Sequence, residues 1–280
     1  MKEIRLCAFA DEASPELSGQ IAAMARNGIR LLEIRGVGGK SFPDLTLSEI
    51  REVKSRLEDA GMQVFSMGSP LGKMKPESSF DDHLSVLGRV LEYADIFGCS
   101  HIRMFSFYEE PDKSPEENRD LVFTRMQAFL DRTPEGMLLC HENEKHIYGE
   151  TPERCLELLR AFPRLRAVFD PANFVQCGID TLRAWELLSP YVEYMHVKDA
   201  DTQGNIVPCG RGLGHFAEIL PQYFQKGGSV LTLEPHLAAF VGLGALEAGG
   251  ESVKGMIYKD NNAAFDAAAD ALKSVLADVR

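Results

Sequence analysis

Four segments decide the reading: LLCHENE (Leu138–Glu144), AVFDPANF (Ala167–Phe174), YMHVKDA (Tyr194–Ala200) and LTLEPH (Leu231–His236). Each opens as a short apolar run of strand length and closes on a residue able to bind a cation. Those residues are Glu142, Asp170, His196 and Glu234, spaced 28, 26 and 38 residues apart. Such spacings are about one strand plus one helix.

The alternation continues outward from these segments in both directions. Upstream, strand-like runs occur at Ile4–Phe9, Ile29–Ile34, Gln63–Met67 and His101–Phe105, followed downstream by Met137–His141, Arg166–Phe169, Val192–Val197 and Val230–Leu233. Between them lie amphipathic helical runs at Leu17–Asn27, Leu47–Asp59, Phe80–Phe97, Leu182–Leu188, Phe216–Phe224 and Ala263–Val279. Two more helices are announced by their starts: Ser114-Pro115-Glu116-Glu117 is a capping box with proline at the first helical position, and Thr151-Pro152-Glu153 repeats the signal. Strands that alternate with helices predict a parallel sheet, because each crossover helix must pack back on it. Eight such units in 280 residues predict one closed (β/α)8 TIM barrel, a single domain over residues 1–280. An open doubly wound sheet is the rival. It usually has a glycine-rich loop after the first strand, where this chain has Ala10-Asp11-Glu12-Ala13-Ser14.

Composition narrows the function. The net charge is −12, which repels a phosphate backbone, so nucleic acid is not expected as a partner. No apolar run reaches membrane-spanning length. The start, Met1-Lys2-Glu3-Ile4-Arg5, leads straight into a strand without the pattern of a secretory signal, which reads as cytoplasmic. The six cysteines form no CxxC pair and read as reduced thiols.

In a parallel barrel all strand C-termini open on one face, so one residue per tip can converge. Singly, each of the four has an ordinary alternative: a solvated loop acid, a turn at Asp170-Pro171, a hydrogen-bonded core histidine. Together, three carboxylates and one imidazole make a hard donor set for one divalent metal ion, Mn²⁺ or Mg²⁺ first, with Zn²⁺ or Co²⁺ allowed. Lys198 follows His196 by two and shares its face. Glu33 and Arg35 end the second strand, facing the same mouth or forming a structural ion pair. His236 and His141 flank Glu234 and Glu142. Glu144 and His146 compete with Glu142 for its role. Arg211 stands among Gly210, Gly212 and Gly214, glycines that would let backbone approach a ligand.

The chain resembles the xylose-isomerase-like TIM barrels, the sugar phosphate isomerase/epimerase superfamily. The matches are GIRLLEIR (Gly28–Arg35), HEN (His141–Asn143), FDPANF (Phe169–Phe174), MHVKD (Met195–Asp199), PCGRGLGHF (Pro208–Phe216) and LEPH (Leu233–His236). No single motif is specific; their order and spacing are. The resemblance implies one catalytic divalent metal on Glu142, Asp170, His196 and Glu234. It also implies a sugar, polyol or keto-sugar substrate, and it leaves room for a homo-oligomer. Asn173 stands where related epimerases often carry a histidine, a departure from strict tagatose-epimerase chemistry.

The chemistry so implied is isomerisation or epimerisation through an enediolate, with Glu142 and Glu234 at the exposed mouth as the proton-transferring pair. Lys198, Asn173, Arg211, His236 and Glu33 are the candidate substrate contacts. Like-charge repulsion from Lys198 is expected to help keep the His196 imidazole neutral. A lyase or dehydratase acting on a keto-sugar or inosose is the alternative, and a non-catalytic sugar-binding barrel a further one. The absence of an arginine cluster in the sequence favours a substrate without a phosphate.

Overall fold

The computed structural model describes residues 3–74, 78–241, 243 and 258–279. Its centre is a closed ring of eight strands: β1 (Arg5–Ala8), β2 (Leu31–Ile34), β3 (Gln63–Gly68), β4 (His101–Met104), β5 (Leu138–Glu142), β6 (Arg166–Phe169), β7 (Val192–Val197) and β8 (Val230–Leu233). Each strand pairs in parallel with its neighbours in sequence, and β8 closes on β1, with Ala8 opposite Leu233. A single (β/α)8 TIM barrel domain is therefore what the alternation builds.

Outside the ring lie α1 (Leu17–Asn27), α2 (Leu47–Asp59), α3 (Phe80–Phe97), α4 (Pro115–Arg132), α5 (Pro152–Ala161), α6 (Pro171–Gln176), α7 (Thr181–Leu188), α8 (Phe216–Gln225) and α9 (Asn261–Asp278). Their ends are written locally. Ser114 and Glu117 form the expected capping box of α4, and Thr46 and Glu49 form another on α2. α1 and α3 stop at Gly28 and Gly98, both in the left-handed conformation that glycine adopts without a steric cost.

Three features depart from the expected pattern. Gly36–Val37 and Lys40–Ser41 form a small antiparallel pair after β2, and Asp199–Ala200 and Ile206–Val207 form another after β7. The Asp170-Pro171 turn is the start of a helix, α6, with Asp170 as its N-cap. Most of the long segment expected after β8, residues 237–259, lies outside the described residues. All six cysteines are free, and among the described residues no helix is long and apolar enough to cross a membrane.

Alternation along the strands sorts the side chains. Leu139, Met195, Val197, Leu231 and Leu233 join the large apolar core between ring and helices. Cys7, Cys140, Val168, Tyr194 and Val230 form a second buried cluster from the other strand faces, which plugs the ring below the polar residues. The polar strand tips therefore rest on a packed floor.

Candidate metal centre

The inward series of each strand delivers one donor. On β5 it is Cys140 then Glu142; on β7, Tyr194 then His196; on β8, Thr232 then Glu234. Asp170 follows β6 by one residue. One ligand atom from each of Glu142, Asp170, His196 and Glu234 lies within 4.8 Å of all the others. His196 Nδ1 stands 3.0 Å from Glu234 Oε2, 3.2 Å from Glu142 Oε1 and 3.9 Å from Asp170 Oδ2. The expectation of an exposed mouth is corrected here: all four are buried, Glu142 and Glu234 at 2% and 4% exposure. Neighbouring side chains packed against them, Arg103, Lys198 and His236 among them, take them out of solvent.

Each donor is held from behind. Asp170 Oδ1 accepts the Asn173 backbone N–H at 3.0 Å as the cap of α6. Asn143 clamps the Asp170 backbone in both directions, each bond 2.9 Å. That leaves Asp170 Oδ2 facing the cluster; it accepts no well-directed hydrogen bond, although Lys198 Nζ stands 2.9 Å away. Asn173 Nδ2 donates to Glu142 Oε1 at 3.3 Å and to the Asn143 carbonyl at 2.9 Å. His196 Nε2 lies 3.3 Å from Glu33 Oε2, while Glu33 Oε1 accepts from the Tyr194 hydroxyl at 2.7 Å. Glu33 is thus the carboxylate that orients the ring and leaves Nδ1 toward the other donors.

Burial works against every ionised form here, and the partners decide the outcome. For Asp170 burial wins over the pull of Lys198 and raises the carboxyl to about 6. Burial raises Glu142 too, but His196 and Arg103 outweigh it and hold the group below the usual range. Glu234 is driven well below the usual range, because Lys198 and His196 outweigh its burial. His196 is held well above its ordinary value: Glu142, Glu33 and Glu234 together outweigh burial. This corrects the expected effect of Lys198, since three carboxylates around one ring dominate a single ammonium.

The remaining candidates scatter. Lys198 points to the face predicted, with Nζ 3.4 Å from Glu234 Oε2. His236 Nε2 sits 3.3 Å from Glu12 Oε1 and 3.4 Å from Glu234 Oε1. Glu33 faces inward but is wholly buried beneath His196, away from the cavity, and Arg35 pairs with Asp11, Glu12 and Glu234 rather than with Glu33. Glu144 turns to Lys73 and Lys145, and His146 is exposed, so neither meets the cluster. His141 faces outward, where its Cε1 would sit 2.4 Å from a Cβ on Gly149. Arg211 is exposed and its side chain makes no hydrogen bond or ion pair among the described residues. The glycines around it approach Asp199, not a ligand: the N–H groups of Gly210, Gly212 and Gly214 donate to its carboxylate at 2.9, 3.0 and 2.8 Å.

Sequence reasoning missed Arg103. Its Nε lies 3.2 Å from Glu142 Oε2, and its Nη1 donates to the Ser69 carbonyl at 3.0 Å. A charged residue inside the apolar run His101–Phe105 was the available signal.

Glu142, Glu234, Lys198 and His236 line a small cavity together with Arg103 and Lys73. The donor set fits a divalent cation. Three carboxylates converge on one imidazole, and a buried carboxylate oxygen is left without a hydrogen bond at their centre.

Comparison with known proteins agrees with the architecture. The family model described as xylose isomerase-like TIM barrel matches residues 21–253. No curated protein matches the sequence. Among solved structures, D-allulose 3-epimerase from Methylomonas sp. in complex with D-allulose superposes with a TM-score of 0.73 at 15% identity, over 99% of this chain and 98% of that one. The probable 3-DHS dehydratase AsbF of Bacillus anthracis gives 0.72 at 15% identity, over 97% and 99%. A xylose isomerase-like barrel from Mycobacterium smegmatis in complex with magnesium gives 0.70 at 14% identity, over the full length of both. At these identities the superpositions speak for the fold alone, and the family rests on the sequence match over most of the chain. With eight parallel strands closed into one ring and four donors at consecutive strand tips, this chain belongs to the xylose isomerase-like TIM barrel family.

Proposed function

We propose that the chain is a divalent-metal-dependent isomerase or epimerase of sugars, polyols or keto-sugars. Glu142, Asp170, His196 and Glu234 hold the ion, with Mn²⁺ or Mg²⁺ favoured by the oxygen-rich set. The observation that carries this reading is the convergence of the four donors within 4.8 Å of one another. A divalent cation there would supply Lewis acidity, making a C–H beside a carbonyl easier to deprotonate.

The chain's own groups do the rest. Glu142 and Glu234 approach His196 from strands separated by two others, and both line the cavity. One removes a proton from the substrate carbon and the other returns it. Return on the opposite face epimerises the centre; return to the neighbouring carbon isomerises the sugar. Asn173 and Arg103 fix the Glu142 carboxylate, and Arg35 with His236 fix that of Glu234. The ammonium of Lys198 steadies negative charge that develops on a substrate oxygen. A dehydratase outcome is the second reading. It is favoured by the place of His236 on the cavity wall beside Glu234, within reach of a hydroxyl leaving the neighbouring carbon.

Glu142→Gln and Glu234→Gln test the assignment. Each is expected to lower solvent deuterium uptake into a bound ketose or inosose by about 10²–10⁴-fold, with unchanged far-UV circular dichroism. Near wild-type uptake in either variant removes that glutamate from the role. Metal and sugar binding by the wild type without any uptake points instead to a non-catalytic binding barrel.

A further inference from the structure

The cavity directly over the donors is small, about 10 Å³, which is room for about one water molecule. A substrate whose carbonyl reaches the donors must therefore keep most of its body elsewhere. The adjoining space is a cavity of about 190 Å³, and Lys73, Arg103 and Phe105 line both. For comparison, an apolar cavity of roughly 150 Å³ takes up benzene.

The charged groups on the wall of this larger cavity are already engaged. Asp11 accepts from Arg35 at 2.8 and 3.1 Å. Lys40 lies 2.8 Å from Glu49, Lys73 2.8 Å from Glu144 and Arg103 3.2 Å from Glu142. With the polar heads turned to these partners, the surface left facing the cavity is mostly carbon. Phe105 supplies part of it from the end of β4, and Phe240 and Val241 supply more from the segment after β8. Arg35 Cζ lies 4.4 Å from the Phe9 centroid and 4.6 Å from that of Phe240, so the guanidinium backs the Phe240 ring. A Cβ on Gly39 would meet Val241 Cγ1 at 3.7 Å, so Val241 closes the cavity against the turn after β2. Val241 is nevertheless 57% exposed, the most exposed large apolar side chain among the described residues. Lys73 Nζ and Arg103 Cζ stand 4.3 and 4.6 Å from the Phe105 centroid. A cation paired with a carboxylate still attracts the face of an aromatic ring, so this wall favours an aryl group over an alkyl one.

We propose that this cavity takes an aromatic ring carried by the substrate, which is then a sugar or polyol bearing an aryl group rather than a free sugar. The ring is seated against Phe105, Phe240 and Val241, and the carbonyl end reaches the four donors. The inference rests on the metal-dependent reading above for the reactive end alone.

Fluorine NMR titration of the full chain with 4-fluorobenzyl alcohol tests it, first with chelator present so that no ion takes part. The probe is expected to bind saturably at one site per chain. Phe240→Ala should weaken that binding about fivefold or more, and Phe240→Tyr, which keeps the ring, should stay within about threefold of the wild type. Cyclohexanemethanol, a ring of similar size without a π-face, should compete less well. Equal competition overturns the aromatic assignment, and equal binding by wild type and Phe240→Ala overturns the site. With Mn²⁺ added, the signal of the bound probe should broaden in the wild type and not in His196→Ala. Saturable binding without broadening, although Mn²⁺ binds, puts the ring away from the donors and also overturns the inference. If Mn²⁺ itself fails to bind, the metal reading falls, while the titrations with chelator still decide the ring site.

Discussion

Asp199 shows how much one residue can organise. Its carboxylate accepts four backbone N–H groups, from Ala200, Gly210, Gly212 and Gly214, at 2.8–3.0 Å. A Cβ on Gly212 would lie 2.3 Å from Asp199 Oδ1 and from the Ala200 carbonyl oxygen, so glycine is required there for close approach. The cage fixes the chain just past Lys198, and hence the end of β7. Asp199→Asn would turn an amide group toward donors and remove the charge they converge on. It should cost about 2–4 kcal/mol, read as a lower midpoint in urea unfolding. A midpoint within error of the wild type would mean that the loop is held by other contacts.

At the scale of elements, α3 anchors the segment that carries Lys73. His83, in its first turn, accepts the Gly72 backbone N–H on Nε2 at 2.8 Å. Gly72 has φ +86° and passes so close to the Phe105 carbonyl that no side chain fits. Burial, helped by Arg125, depresses the His83 imidazole to about 4. The unfolded chain therefore binds that proton more readily than the folded one. The contribution is complete above about pH 6.5, the ordinary value, and is lost as pH falls toward about 4. Allowing for partial solvent access, the loss should reach about 1–2 kcal/mol. Comparing the acid dependence of unfolding free energy in wild type and His83→Gln measures it. Parallel curves for the two proteins would show that His83 does not titrate in this way.

For the whole molecule, the four donors lie at the tips of four strands and meet only when the ring is closed. An unfolded chain offers no such site, so cation binding should stabilise the fold. At a hundredfold excess over Kd the gain is about 2.7 kcal/mol, or about 4–5 °C in Tm for a chain of this size. Scanning calorimetry with Mn²⁺ and with chelator should show that shift, and His196→Ala should abolish it. A Tm indifferent to both additions would leave the cluster a structural ion network.

The ring was legible in the sequence because its causes are local. The capping box at Ser114, glycine stops at Gly28 and Gly98, and apolar runs of strand length act over a few residues each. Glu142, Asp170, His196 and Glu234 were legible for the same reason: each ends a strand, and parallel strands share one open face. Their burial, the place of Glu33 under His196 and that of Arg103 beside Glu142 were not. Those depend on contacts such as Tyr194 with Glu33 and Arg35 with Glu234, which are 161 and 199 residues apart. Such distant partners are chosen by strand register around the closed ring and by the loops that fold over it, so no window of sequence contains them.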